Sequence, residues 1–126
     1  MDRRMGGVIA GLALMAAGVA TFLFARPAPA PFDSAAWQLG ADPLYGSEAP
    51  RLRLADGLVQ SKSLLGRSSS DVAAMLGPPS KTSKFREFDL VYWLGPERSF
   101  VSIDSEWLVI RLGADGRVSD VQIVTD

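Results

Sequence analysis

The sequence contains no histidine and no cysteine. Histidine is the usual general base near neutral pH, and cysteine supplies the thiolate for nucleophilic catalysis, disulfides and many metal sites. Their absence excludes Ser-His-Asp and Cys-His catalysis, zinc sites built on these side chains and haem ligation by them. We therefore expect neither a metal nor a cofactor.

Clusters of basic residues are also missing. The chain carries a net charge of -1, and its first thirty residues carry +2, from Arg3, Arg4 and Arg26 against Asp2, so the remainder carries -3. A mildly acidic domain lacks the electrostatic footprint of a nucleic-acid-binding protein. No nucleic-acid partner is expected.

Charge is absent altogether from residues 6–24 (GGVIAGLALMAAGVATFLF), a run of 19 residues. About 20 apolar residues cross a bilayer as a helix, so residues 1–25 are predicted to form a transmembrane or signal-anchor helix. A cleaved signal peptide is the alternative, with a small-x-small site at Ala28-Pro29-Ala30. Pro31 follows that site directly, and a proline just past the scissile bond is a poor substrate for a signal protease, which binds an extended backbone there.

The arginines around this run predict its orientation. Arg3 and Arg4 precede it and only Arg26 follows it, so the positive-inside tendency keeps the N-terminus cytoplasmic. We predict a single-pass protein of the cytoplasmic membrane, with its C-terminal domain periplasmic or extracellular. After cleavage the same domain would be a soluble periplasmic or secreted protein.

Residues 26–49 are predicted to link the membrane segment to the domain. The string RPAPAPF favours an extended, polyproline-like stalk. The rest, residues 32–49, mixes turn residues with apolar ones and is expected to be irregular and to lie on the domain. Its apolar anchors are Phe32, Trp37, Leu39, Leu44 and Tyr45.

Two helices are predicted at the start of the domain, residues 50–126. Pro50 suits a first helical position, and apolar residues at helical spacing continue to about Ser61. Ser68 and Asp71 fit a capping box for a second, shorter helix. Gly77, followed by two prolines, ends it.

Three β-type runs follow, at residues 88–94, 107–112 and 118–124. Asp115-Gly116 between the last two is a tight-hairpin signal, so these strands are expected to be antiparallel neighbours. Period-two alternation sends Leu108 and Ile110 to one face and Trp107 and Val109 to the other, so that one set packs on the helices and the other faces solvent or a partner. The predicted fold is α+β, two short helices followed by a three-stranded antiparallel meander.

Three strings within residues 58–124, LLGRSSSDVAAMLGPP, LVYWLG and EWLVIRLGADGRV, resemble the SmpA/OmlA (BamE-like) family of small outer-membrane-assembly lipoproteins. In that family a glycine, a Ser/Thr cap, a short helix and a Leu-Gly-x-Pro turn precede a three-stranded antiparallel meander. Its lipoproteins carry an N-terminal cysteine for acylation, which this chain lacks. The resemblance implies the fold, an envelope setting and a binding or scaffolding role through protein contacts.

The densest polar grouping lies on the long connection between the first two strands, where loops on a rigid sheet often carry function. It could recognise a partner, form a solvated loop with an internal Arg-carboxylate pair, or supply two carboxylates for glycan hydrolysis. Aromatic residues flank it and either fill the core or form an exposed patch. The candidate partner surface comprises Trp93, Glu97, Arg98, Phe100, Asp104, Glu106 and Trp107.

The expected function is non-enzymatic binding of another envelope protein, through an open sheet face and the loop at residues 95–106. A small envelope hydrolase using Asp104 and Glu106 is one alternative. A secreted inhibitor-like protein, released by cleavage near Ala30, is another.

Overall fold

The computed structural model describes residues 31–40, 49–101 and 103–126. These residues form three helices and then a three-stranded antiparallel sheet in the order β1-β2-β3. The elements are α1 (Ser34–Leu39), α2 (Pro50–Ser61), α3 (Ser69–Leu76), β1 (Leu90–Pro96), β2 (Ser105–Leu112) and β3 (Val118–Thr125). The predicted α+β class and the meander are confirmed.

The predicted membrane helix over residues 6–24 lies outside the described residues, as does most of the predicted stalk. Within the parts of the chain that the structure describes, no helix has both the length and the apolar character needed to cross a bilayer.

Helix α1 was not predicted, and the expectation of an irregular segment is wrong for residues 34–39. Asp33 caps this helix, because its Oδ1 accepts hydrogen bonds from the N–H groups of Ala35 (3.0 Å) and Ala36 (3.2 Å). Trp37 holds the helix to the core with a fully buried side chain. A helix this short shows no apolar periodicity and is not stable alone, so packing decides whether it forms.

Helices α2 and α3 follow their predicted signals. Pro50 opens α2, which ends at Ser61, and Lys62 takes the left-handed conformation (φ 56°). Ser68 caps α3, and its Oγ accepts from the N–H of Asp71 at 3.2 Å. Gly77 ends α3 at φ 77° and ψ -169°, a region that is open essentially only to glycine.

The sheet matches the predicted strands, although β1 begins and ends two residues later than predicted. The hairpin at residues 113–116 is confirmed by the hydrogen bond from Gly113 N–H to Arg117 O (2.7 Å). The β1–β2 register shifts between Trp93 and Gly95. A Cβ on Gly95 would lie 3.1 Å from the Ala49 Cβ, so this glycine allows the N-terminal end of α2 to approach the sheet closely.

The main core lies between the helices and one face of the sheet. Leu108 and Ile110 both point into it from β2, on one face of the strand as the alternation predicted. Its fully or nearly fully buried members are Trp37, Ala49, Leu52, Leu54, Ala55, Leu58, Leu64, Val72, Leu76, Tyr92, Leu94, Leu108, Ile110 and Val118.

The opposite face of the sheet was expected to be open, and this expectation is wrong at its centre. Phe85 and Phe88, from the connection between α3 and β1, pack against Trp107 and Val109 in a second apolar cluster. The Phe85 and Trp107 ring centroids are 5.9 Å apart, and Val109 is fully buried. Strand β2 is therefore covered on both faces.

Candidate functional site

The connection between β1 and β2, residues 97–104 (the 97–104 loop), contains four of the predicted site residues. The N–H of Glu97 donates to the carbonyl of Asp104 at 2.9 Å, which closes the base of the loop. Ser105 and Glu106 then continue into β2, paired with Pro96 and Gly95. The loop therefore projects from the end of the β1–β2 ladder.

Arg98 ties this loop to α2 and to β2. Its guanidinium binds Asp56 through Nη1–Oδ2 (2.6 Å) and Nη2–Oδ1 (3.0 Å). It also binds Glu106 through Nη2–Oε1 (2.8 Å) and Nε–Oε2 (3.0 Å). The backbone N–H of Arg98 donates to Glu106 Oε2 as well, at 2.8 Å. These partners, Asp56 first, raise the pKa of Arg98 above its usual value.

The predicted internal Arg-carboxylate pair is thus present and has a third member. Asp56 was missed because it lies on α2, 42 residues from Arg98 in sequence. Sequence spacing alone carries no signal for that contact. All three side chains are mostly buried, and Glu106 is the most enclosed. Fork-shaped, charge-assisted hydrogen bonds of this kind fix geometry more tightly than single bonds do.

The two carboxylates proposed for hydrolysis are not brought into one cleft. A polar cleft of about 310 Å³ beside Arg98 is bordered by Asp56, Glu97 and Glu106, whereas Asp104 is exposed outside it. Glu106 is occupied by hydrogen bonds from Arg98. Among the described residues no group of three or more carboxylates has the arrangement of a metal site.

The tip of the 97–104 loop is apolar and exposed. Phe100 is fully exposed (105%), Ile103 is 81% exposed and Val101 is 56% exposed. Sequence reasoning identified Phe100 and missed Val101 and Ile103. The available signal was a run of large apolar side chains inside an otherwise polar loop.

The two tryptophans of the predicted surface do not join this tip. Trp107 is only 9% exposed and lies in the second apolar cluster, so its assignment to an exposed patch is wrong. Trp93 is half-buried and packs against the same cluster. The structure therefore separates the predicted residues into an exposed tip, an ion-paired base and a buried aromatic group.

Asp126 joins the start of β2 to the connection between α3 and β1. Its carboxylate accepts from Lys84 Nζ (2.6 Å), Ser105 N–H (2.8 Å) and Trp107 Nε1 (3.2 Å). The Lys84 contact is the largest of the causes that lower the pKa of Asp126 to about 2. This bond set links Lys84, in the segment that carries Phe85 and Phe88, to the start of β2.

No family model, no curated protein and no solved structure matches this chain.

Proposed function

We propose that this chain is a non-enzymatic module of the bacterial cell envelope, which binds another envelope protein through the 97–104 loop. The observation that carries this proposal is the exposed apolar tip at Phe100, Val101 and Ile103. Large apolar side chains exposed together and bordered by polar residues are typical of protein contact sites.

The base of the loop supports the same proposal. Arg98 anchors the residues next to the tip through Asp56 and Glu106, so little conformational entropy is lost there when a partner binds. A loop that contacts only solvent would not be expected to combine large apolar side chains at its tip with a base held by ion pairs. The neighbouring charges Glu97 and Asp104 would form the polar rim of the contact.

The proposed location is the outer side of the cytoplasmic membrane, with residues 6–24 as the anchor. What supports it is the uncharged run and the arginines on its N-terminal side. We also propose a relationship to the SmpA/OmlA (BamE-like) domains. What supports this is the order of a capped short helix, a Leu-Gly-x-Pro turn and a three-stranded meander.

The test is a photo-crosslinking phenylalanine analogue placed at position 100 of the full chain in intact cells. We expect it to capture one envelope protein reproducibly. The matched control is the same analogue at Leu39, which is also well exposed (59%) but lies on α1. Equal capture of the same protein from both positions would contradict the proposal.

Stability measurements complete this test. Phe100→Ala should change the free energy of unfolding by less than about 0.5 kcal/mol, as at other surface positions. Added as a competitor, the Phe100→Ala protein should displace the captured partner less effectively than the wild-type protein does. Trp107→Ala should cost about 3–5 kcal/mol, as expected for a core aromatic residue. A comparable loss of stability at both positions would mean that Phe100 is a core residue and not a contact residue.

A further inference from the structure

We infer that the outer edge of β3 receives an extended strand from a different protein, one with an apolar and a basic residue two or four positions apart. This surface does not include the apolar tip of the 97–104 loop, although Glu97, Arg98 and Ser99 at the base of that loop line one of its grooves. The inference does not depend on the contact proposed for the tip. It rests on the backbone of β3 and on two grooves between β3 and α2.

The two edges of the sheet differ. The outer edge of β1 is bonded within the chain, because Ser80 N–H donates to Val91 O (2.8 Å) and Trp93 N–H donates to Ser80 Oγ (2.9 Å). Arg51 Nη1 adds a bond to Trp93 O at 3.1 Å. Strand β1 is therefore closed to addition over these residues.

Among the residues that the structure describes, the outer edge of β3 has backbone partners only at its first residue. Val118 exchanges hydrogen bonds with Gly66 N–H (2.9 Å) and Arg67 O (2.8 Å). Within the described chain, the backbone groups of residues 119–125 have backbone partners only in β2. Every second residue of an edge strand turns its N–H and C=O outward, and such a row is a template for another strand.

This edge also lacks most of the features that block strand addition. Edge strands are commonly protected by lysine, proline or short length. Strand β3 has eight residues (VSDVQIVT), no lysine and no proline, and a single charge at Asp120. Residues 119–125 extend over roughly 20 Å, so the outward-facing groups of every second residue are enough for several inter-strand hydrogen bonds.

Two grooves between α2 and β3 would receive side chains of the added strand. One, of about 250 Å³, has walls of Leu58, Val59, Leu65 and Val121, together with the opposite charges of Lys62 and Asp120. The other is the polar cleft of about 310 Å³ beside Arg98, which borders Ile123 and Thr125. The first suits an aliphatic side chain.

The polar cleft suits a basic side chain. Asp56 and Glu106 share the single positive charge of Arg98, so these three groups sum to -1. A carboxylate has about four acceptor positions, and the bonds to Arg98 leave some of them available. Val121 borders the first groove, and Ile123 and Thr125, two and four residues further along the same face, border the second, so the two side chains of the added strand lie about 7–13 Å apart.

A second copy of this chain, paired through its own β3, does not supply the basic side chain that the polar cleft requires. Strand β3 contains neither lysine nor arginine, and the nearest basic residue, Arg117, is held outside the strand by a hydrogen bond from its Nη1 to Gly66 O (2.9 Å). Self-pairing through β3 would therefore bring no unpaired basic side chain to the polar cleft. The occupant is therefore an extended segment of another protein, recognised by β-strand addition.

The test uses the full chain in detergent micelles and a phage-displayed library of random nine-residue peptides. We expect enriched peptides to carry Leu, Ile or Val two or four positions from Lys or Arg. Bound as synthetic peptides, they should slow hydrogen exchange of the amides at residues 119–125. Leu65→Glu, at a 43% exposed position, should weaken binding about tenfold.

The matched control is Leu39→Glu, which introduces the same charge at an exposed leucine on α1 and should leave affinity unchanged. Phe100→Ser should also have no effect, which separates this inference from the loop contact. Protection of the 97–104 loop instead of β3, or no enriched peptide at all, would overturn the inference. Concentration-dependent self-association that protects residues 119–125 would overturn the choice of occupant.

Discussion

Arg98 shows how one side chain determines the behaviour of a whole loop. Four of its five N–H donors reach Asp56 on α2 and Glu106 on β2 at the same time. Because these three charges are mostly buried together, removing Arg98 would leave two like charges uncompensated in a poorly solvated position. The exposed tip therefore depends on an ion-pair anchor that is mostly buried and that a partner bound to the tip would not contact.

Asp126 is the residue whose charge state should couple stability to pH. Its pKa, about 2 in the folded protein, lies below the value of about 3.9 expected for an unfolded aspartate. The folded state thus favours the ionised form. The stabilisation is fully present above about pH 4 and is lost as the pH falls through about 2.

We accordingly expect Asp126→Asn to lower the thermal midpoint at pH 7 and to match the wild-type midpoint at about pH 2. The effect should be about 1 kcal/mol or less, because Lys84 is half-exposed and solvent screens the pair. Thermal unfolding between pH 2 and pH 7 measures it. Lys84→Gln should show the same pH window, and an Asp126→Asn difference that stays constant down to pH 2 would contradict the assignment.

Helix α3 is the element whose limits depend most on local chemistry. Ser68 satisfies the orphan N–H of Asp71 at its start, and Gly77 takes a conformation at its end that other residues avoid. Both signals act within one turn of the helix. For this reason the predicted and observed limits agree.

Replacing the cap should have a measurable cost. Ser68→Ala is expected to lower the free energy of unfolding by about 1 kcal/mol, since the N–H of Asp71 loses its acceptor. The matched control is Ser69→Ala, one residue later and exposed, which should change stability by less than about 0.5 kcal/mol. Urea denaturation distinguishes them, and equal losses at the two positions would show that Ser68 is not the cap.

Strand β2 shows what the residue pattern within a single strand cannot predict. Alternation along it correctly assigned Leu108 and Ile110 to one face and Trp107 and Val109 to the other. It did not reveal that Phe85 and Phe88 cover the second face. A period-two pattern reports which side chains share a face, whereas the cover comes from a distant, irregular segment.

For the molecule as a whole, α1 is an integral part of the core. Trp37 Nε1 donates to Leu76 O (2.9 Å), and its ring lies 6.1 Å from that of Tyr92. The Arg51 guanidinium stacks 4.5 Å from the Trp37 ring, and Arg51 Nε donates to Trp37 O at 2.8 Å. One side chain thus joins α1 to α2, α3 and β1.

Two fragments test this role. A chain of residues 31–126 should fold, whereas residues 41–126, without α1, should lose at least the roughly 3–5 kcal/mol expected for deleting a core tryptophan. That is a large part of the total stability of a small domain. Urea denaturation of both fragments measures the difference. Trp37→Ala in the longer fragment should reproduce most of it, and equal midpoints for the two fragments would contradict a core role for α1.

The sequence by itself determined the features that depend on neighbours within a few residues. These are the limits of α2 and α3, the turn at residues 113–116 and the alternation along β2, since caps, turns and side-chain periodicity involve only local backbone geometry. The uncharged run at residues 6–24 and the location inferred from it remain predictions of the sequence alone.

Only the tertiary structure decided the composition of the site. Whether Trp107 or Phe100 is exposed, whether Asp56 meets Arg98 and whether residues 34–39 form a helix depend on surfaces that are far apart in the chain. An aromatic residue has the same chemistry in a core and in a contact surface. Burial is set by what packs over it, and for Trp107 that is Phe85, a residue from another part of the fold.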